Sequence, residues 1–211
     1  MLLAFDTSTA AVTVALFDGE RVLAESTTLG AMRHGELLAP AISSALSAAG
    51  AVRQDLSAIA VGVGPGPFTG LRVGLVTART LAAVLDIPVY GVCTLDVLAA
   101  EAVDNSISEE FLVATDARRK EVYWASYTRD GERLEGPVVV KPAVVATEAA
   151  VVGRGALIYP EAFPNHLAPE DPSAAVLAHV VADERVPLCD PDPLYLRRPD
   201  VAAPAKPKRV S

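Results

Sequence analysis

The sequence contains few of the residues that form metal centres and disulfide frameworks. It has two cysteines, Cys93 and Cys189, without a Cys-x-x-Cys spacing, and three histidines. No two histidines lie three or four residues apart, so no pair of them can hold a metal ion from one side of a helix. We therefore predict reduced thiols, no bound metal ion and no cofactor.

Positive charge and long apolar runs are also scarce. The chain of 211 residues has 18 Lys and Arg against 26 Asp and Glu, a formal net charge of -8. An acidic surface repels phosphate groups, which disfavours tight nucleic-acid binding by this chain alone. No apolar stretch reaches the ~20 residues that span a bilayer, and the start lacks the basic region of a signal peptide. We expect a soluble, cytoplasmic protein without a membrane contact.

Apolar residues make up 51% of the chain, which is enough for a packed core. Alternating apolar residues in the first part indicate a β-meander, with a hairpin turn at Asp18-Gly19. The elements predicted next are a helix at 34–49, a strand at 56–63, a helix at 69–85, a strand at 88–92 and a short helix at 95–102. This order predicts an α/β fold in which helices cover a mixed sheet.

The opening pattern returns in the second half of the chain. A predicted strand ends in Asp6 in the first half and in Asp116 in the second, and an Asp-Gly-Glu-Arg turn follows each, at 18–21 and at 130–133. The repeated order predicts two duplicated lobes. The remaining predictions are a strand near 151–155, a helix at 173–182, a first lobe at 1–103, a shortened second lobe at 104–200 and a disordered tail at 201–211.

A Gly-Pro-Gly-Pro-Phe-Thr-Gly loop, Gly64 to Gly70, lies between a predicted buried strand and a helix. Amides at a helix N-terminus attract anions and glycines let a phosphate approach, while Thr69 is placed to cap the helix. A polar Asp-Thr-Ser turn after the first strand is a second candidate. Each segment is alternatively a rigid turn without a ligand, and the loop is not a Walker motif. The candidate phosphate-contacting residues are Asp6, Thr7, Ser8, Gly64, Gly66, Thr69, Gly70 and Asp116.

Small residues recur every four positions along the second predicted helix, at Gly70, Gly74, Ala78 and Ala82. Such a stripe lets another helix approach closely, in a subunit interface or, alternatively, in packing on the protein's own sheet. The first helix is similarly small and apolar. The predicted partner interface comprises His34, Leu38, Ala41, Ala45, Gly70, Arg72, Gly74, Ala78 and Ala82.

Three consecutive cations, Arg118, Arg119 and Lys120, follow Asp116. Such a run is typical of a solvated loop, and alternatively it contacts an acidic partner or a phosphate.

The chain resembles the TsaB family, also called YeaZ, in segments that follow one another along nearly its whole length. The loop continued through Gly74 is the most specific of them. The matching segments are 5–9 (Phe-Asp-Thr-Ser-Thr), 33–38 (Arg-His-Gly-Glu-Leu-Leu), 64–74, 116–118 with 121–124, and 193–197 (Pro-Leu-Tyr-Leu-Arg).

The resemblance implies the two-lobed fold of actin and sugar kinases, and a part in making N6-threonylcarbamoyladenosine at position 37 of tRNA. It implies a heterodimer with TsaD, the threonylcarbamoyltransferase, which the ATPase TsaE joins. It also implies a homodimer when the chain is alone, and contact with tRNA that is indirect, through the complex.

Departures from the related enzymes predict that this chain is not itself an enzyme. Where TsaD has a metal-binding His-x-x-x-His pair, this sequence has Thr94 and Leu98, and leucine cannot bind a metal. Where nucleotide-binding relatives have glycines, it has Ala117 and Arg118. The phosphate loops are therefore predicted to be vestigial. The alternative is an actin-fold ATPase or kinase that uses Asp6, Thr69 and Asp116.

Overall fold

The computed structural model describes residues 1–30 and 33–197, which form eleven strands and five α-helices. The predicted tail at 201–211 lies outside these residues. The strands are β1 (Leu2–Asp6), β2 (Ala11–Phe17), β3 (Val22–Leu29), β4 (Ala58–Gly62), β5 (Val89–Val92), β6 (Phe111–Asp116), β7 (Val122–Tyr127), β8 (Arg133–Val140), β9 (Ala150–Val152), β10 (His166–Leu167) and β11 (Leu188–Cys189). The helices are α1 (His34–Ala48), α2 (Phe68–Leu85), α3 (Thr94–Asp104), α4 (Arg154–Ile158) and α5 (Ala174–Ala182).

Two mixed sheets share one topology. The first has the order β11-β5-β4-β1-β2-β3 and the second the order β10-β9-β6-β7-β8. In each, three strands form an antiparallel meander, and two further strands extend it in parallel from the first strand. The match of β1–β5 with β6–β10 confirms the predicted α/β fold with duplicated mixed-sheet lobes.

The helices cover the first sheet on both faces. On one face α1 contacts β2 and β3 while α2 contacts β4, and on the other face α5 contacts β1 and β2. The α3 helix contacts α5 and also the second sheet, so it lies between the lobes. The first lobe was predicted to span 1–103, and α3 ends at Asp104. The predicted extent of the second lobe, 104–200, needs correction because α5 and β11 return to the first sheet.

Buried apolar runs determine the central strands. Every residue of β2 is buried, as are the last four of β1 and of β4, which is typical of strands covered on both faces. The α1 helix begins at His34 and continues through Pro40, so the proline does not delay its start. By length and composition alone, α2 could cross a membrane, but core helices of soluble proteins pass the same test, so this is weak evidence.

The small-residue stripe of α2 packs on the protein's own sheet and turn. An added Cβ at Gly70 would lie 2.4 Å from the carbonyl oxygen of Thr7, and one at Gly74 would lie 2.5 Å from Oγ1 of Thr7. The interface predicted from this stripe is therefore wrong for most of its members, because they face the core. Those buried in this way are His34, Leu38, Ala45, Gly70, Gly74, Ala78 and Ala82, while Ala41 is half-buried and Arg72 is exposed.

Substitutions of two glycines, each in the first turn of its helix, test this packing. Gly70→Ala inserts a methyl group against the backbone of Thr7, and we expect the free energy of unfolding to fall by about 1–3 kcal/mol. Gly35→Ala in the first turn of α1 is the control, because its Cβ would approach nothing closer than 3.9 Å. That variant should gain up to about 1 kcal/mol from helix propensity. Urea unfolding measures both, and equal responses would contradict the assigned packing.

Candidate functional site

The turn after β1 carries the first group of predicted site residues. The Asp6 carboxylate is buried and accepts hydrogen bonds from the Ser8 backbone N–H and the Thr94 hydroxyl, each at 2.6 Å. The Thr94 backbone N–H in turn donates to the Gly64 carbonyl at 2.8 Å. The start of α3, the glycine loop and the end of β1 are thus joined through one carboxylate.

On the side of the turn after β1, glycines pack directly against the protein's own acceptor groups. An added Cβ at Gly66 would lie 2.1 Å from the Ser8 carbonyl oxygen, and one at Gly62 would lie 1.8 Å from an Asp6 carboxylate oxygen. Both neighbours are hydrogen-bond acceptors and therefore repel an anion. The glycines allow the turn and the loop to pack closely, and they leave no phosphate cradle between them.

The start of α2 differs from the prediction that Thr69 caps it. The helix begins at Phe68, the capping position is Pro67, and no side-chain hydrogen bond caps the helix. Thr69 lies in the first turn and is exposed. Because proline at the cap position has no side-chain acceptor, the first amides of α2 are left to other partners.

Burial determines the protonation of Asp6. Desolvation by burial raises the pKa of its carboxyl group above 3.8, although hydrogen bonds from Thr94 and Ser8 oppose this shift. Within 1–30 and 33–197, no three His, Cys, Asp or Glu side chains come close enough to share a metal ion. Thr94 and Leu98 are the residues that the sequence comparison set against the two histidines of TsaD. Thr94 bonds to Asp6, and Leu98 is fully buried in the core.

The second lobe repeats this turn with different residues. Asp116 ends β6 as Asp6 ends β1, and its carboxylate accepts from the Arg118 backbone N–H at 2.8 Å. The Arg118 guanidinium lies 3.2 Å from the same carboxylate. Arg118, Arg119 and Lys120 have φ values of 60°, 56° and 60°, a left-handed run that is rare outside glycine. The Arg118 guanidinium therefore covers the Asp116 carboxylate at this turn.

A cleft of 360 Å³ lies between the glycine loop and this second turn, and sequence reasoning did not identify it. The C-terminal segment closes one side. Tyr195 packs on Phe68 with ring centroids 4.6 Å apart and accepts a hydrogen bond from Arg72 at 2.9 Å. Arg197 donates to the Ala117 carbonyl at 3.2 Å and pairs with the Glu121 carboxylate. The Pro-Leu-Tyr-Leu-Arg motif was the available signal. Its Leu194 and Leu196 pack against the core, and the Leu194 N–H donates to the Val63 carbonyl at 2.9 Å.

A buried polar cluster joins α3 to the second sheet and was also missed. The Tyr127 hydroxyl donates to Asp96 at 2.7 Å, and the Arg133 guanidinium lies 3.5 Å from the same carboxylate. Burial, and secondarily the charge of Asp96, raises the pKa of the Cys93 thiol to about 12. A thiol that stays protonated is a poor nucleophile, so this cluster is suited to holding the lobes together.

The outer surface of α1 and α2 is mostly small and apolar. Val76 and Val84 are 62% and 74% exposed, which is unusual for large apolar side chains. Arg72 and Arg79 on the same helix are held by Tyr195 and Asp192. The exposed residues that form this outer helical face, as we call it, are Gly35, Ala39, Pro40, Ser43, Val76, Thr80, Ala83 and Val84.

Comparison with known proteins gives consistent matches. Residues 23–170 match the family model for TsaD, the tRNA N6-adenosine threonylcarbamoyltransferase. The chain is 43% identical to an uncharacterized protein of Mycobacterium tuberculosis, over 99% of this chain and 95% of the relative. It is 36% identical to the tRNA threonylcarbamoyladenosine biosynthesis protein TsaB of Escherichia coli, over 76% and 74% of the two chains. The crystal structure of YeaZ from Pseudomonas aeruginosa superimposes with a TM-score of 0.77 at 32% identity, over 92% and 99%.

The raised pKa of Asp6 predicts how stability responds to pH. Because the folded protein binds this proton more tightly than the unfolded chain, ionisation of Asp6 removes stability as pH rises above 3.8 and through the folded-state pKa. Asp6→Asn is free of this effect. The stability of Asp6→Asn relative to the parent protein should therefore improve as pH rises from about 4 to about 7, measured by urea unfolding at each pH.

Asp18, an exposed aspartate, is the control, because its substitution should change stability with pH in the opposite direction. Backbone N–H groups of Arg21 and Glu20 lower the pKa of Asp18 below 3.8. The ionised Asp18 therefore stabilises the folded protein, and this effect develops as pH rises through the folded-state pKa toward 3.8. Asp18→Asn should lose stability relative to the parent protein as pH rises from about 2.5 to about 4.5. The same sign of change in both variants would contradict the assignment of Asp6 as a carboxyl group destabilised by burial.

Proposed function

The chain belongs to the TsaB family, also named YeaZ, and from this we propose that it is a non-catalytic partner of a TsaD threonylcarbamoyltransferase. TsaB relatives are named as tRNA threonylcarbamoyladenosine biosynthesis proteins, which supports involvement of this chain in making that nucleoside. In this proposal it works in the cytoplasm, binds TsaD as a heterodimer that TsaE joins, and forms a homodimer when alone.

The non-catalytic role in this proposal rests on the packing of the glycine loop against the turn after β1. Carbonyl oxygens of Thr7 and Ser8 pack directly against Gly70 and Gly66, so an anion that approached these glycines from the first-lobe turn would meet acceptors. Moving them would break the hydrogen bonds between Thr7 and α2, at 2.8 Å to the Gly70 carbonyl and 3.1 Å from the Gly74 N–H. A nucleotide phosphate could displace these carbonyl groups only by disrupting the packing of α2 on the first lobe.

The outer helical face supports the partner role. It presents exposed apolar side chains, Val76 and Val84, next to small residues that permit close helix approach. The two arginines on α2 are already bonded within the chain, so few unpaired charges would have to be buried against a partner. The family model matched by 23–170 is that of TsaD itself, and related folds can pair through equivalent faces.

Charge substitutions on the outer helical face test the partner role. We expect Val76→Glu combined with Val84→Glu to reduce capture of TsaD from a native cell extract at least tenfold, because each carboxylate would be buried without a partner. Val144→Glu is the matched control, since Val144 is 72% exposed on the second lobe. Sedimentation of the isolated chain measures the homodimer in parallel. Normal capture by the double variant would contradict this interface.

Calorimetry with ATP and magnesium on the isolated chain separates the scaffold from the alternative of an actin-fold ATPase or kinase. Because the loop is closed, we expect no micromolar binding at this site and no turnover. Micromolar binding followed by release of phosphate, abolished by Asp6→Asn, would support the enzyme and overturn the non-catalytic role.

A further inference from the structure

The outer edge of the first sheet is an unpaired strand. β3 is the last strand in the sheet, and among residues 1–30 and 33–197 its backbone hydrogen-bonds only to β2. Its last five residues, Glu25 to Leu29, are exposed, and Leu29 is 60% exposed. The side of β3 that faces away from β2 therefore presents a row of backbone donors and acceptors to which a further strand can bind.

The equivalent edge of the second sheet is protected against such pairing. β8 has the position in its sheet that β3 has in the first. It contains Pro137, which has no N–H to donate, and its register with β7 shifts on either side of Ser126. β3 contains neither proline nor lysine, and its register with β2 shifts only opposite Leu16 and Phe17, near its start. Features that block edge-to-edge pairing are thus present in one lobe and missing in the other.

The sequence of β3 is complementary to itself in one antiparallel register. When Ser26 lies opposite Ser26 of a second copy, Glu25 faces Thr27 and Ala24 faces Thr28, so no like charges oppose each other. The neighbouring register, centred on Glu25, would place two carboxylates directly opposite each other, which destabilises a strand pair. A second copy of this chain therefore fits the edge in the register centred on Ser26.

One side of α1 extends this edge above the sheet. Leu37, Ala41, Ser44 and Ala48 recur at helical spacing, so they share a side of the helix, and each is half-buried or exposed. This side is directed toward the end of β3, because an added Cβ at Gly30 would lie 2.4 Å from the Leu37 side chain. In a two-fold pair of β3 strands, the α1 helices of both copies would lie on the same face of the joined sheet. Their small side chains would let them approach closely.

We infer that β3 forms a contact between two copies of this chain, in which the strands pair antiparallel about Ser26 and join the two first sheets into one. The contact uses a different side of α1 from the outer helical face, where we propose that a partner binds. It does not depend on the proposed function. Two different two-fold contacts on one chain permit assemblies larger than a dimer.

Cysteine cross-linking tests this register on the full chain. The Cys189→Ser background removes the exposed thiol and leaves the buried Cys93. In it, Ser26→Cys should form a covalent dimer when oxidised glutathione is added, because directly opposed Cβ atoms lie about 5 Å apart. Thr28→Cys is the matched control on the same face of the strand, since its two copies would lie ~13 Å apart along the pair. We expect at least tenfold more covalent dimer from Ser26→Cys than from Thr28→Cys.

Sedimentation equilibrium gives a second measurement that needs no cysteine. Ser26→Lys places two lysines opposite each other and should weaken the association through β3 at least tenfold. Ser26→Thr is the control, because threonine adds no charge and suits an exposed strand. Both are measured in the Val76→Glu, Val84→Glu chain, so that a dimer formed through the outer helical face does not contribute.

Three results would overturn the inference. The first is equal cross-linking by Ser26→Cys and Thr28→Cys, or none by either. The second is loss of the Ser26→Cys cross-link in the Val76→Glu, Val84→Glu chain, which would assign the association to the outer helical face. The third is a monomer at every concentration in that background, which would leave the edge to an extended segment of another protein. Failure of the parent chain to capture TsaD contradicts the proposed function alone and leaves these measurements valid.

Discussion

The turn after β1 is the contact on which the first lobe depends. Its four residues each hold a different part of the chain. The Asp6 carboxylate bonds to Thr94 at the start of α3, and the Thr7 hydroxyl bonds to the α2 backbone. The Ser8 carbonyl packs on Gly66, and the Thr9 carbonyl accepts from the buried His34 ring at 2.8 Å. Three helices and the glycine loop are thus positioned by one polar turn, which explains why polar residues are buried there.

The turn that follows the first strand is built differently in the two lobes. In both, an aspartate ends the first strand and accepts from the N–H two residues later. In the first lobe the turn is closed by Thr94 and by packing on α2, so it becomes part of the core. In the second, the turn carries arginines and stays at the surface. The same hairpin is therefore a buried joint in the first lobe and an exposed turn in the second.

Sequence patterns were sufficient for the order of elements and for the duplication, because strand and helix periods and the two Asp-Gly turns are local signals. They could not decide which side of α2 faces inward. A stripe such as Gly70 to Ala82 is the same whether a sheet or a partner covers it, and Thr7 approaches from 63 residues away. The cleft was missed for a related reason. Tyr195 and Arg118 meet only after the chain returns from the second lobe, so no spacing in the sequence predicts their proximity.

The α2 helix contacts both the cleft between the lobes and the surface that we propose for a partner. Its start, Phe68, lines the cleft, and its exposed side, with Val76 and Val84, forms part of the outer helical face. Its buried side is fixed through Thr7, so the helix cannot shift without breaking its hydrogen bonds to the turn after β1. A partner bound on the outer helical face, as proposed, would therefore meet a helix that is already fixed in place, and little conformational entropy would be lost when it binds.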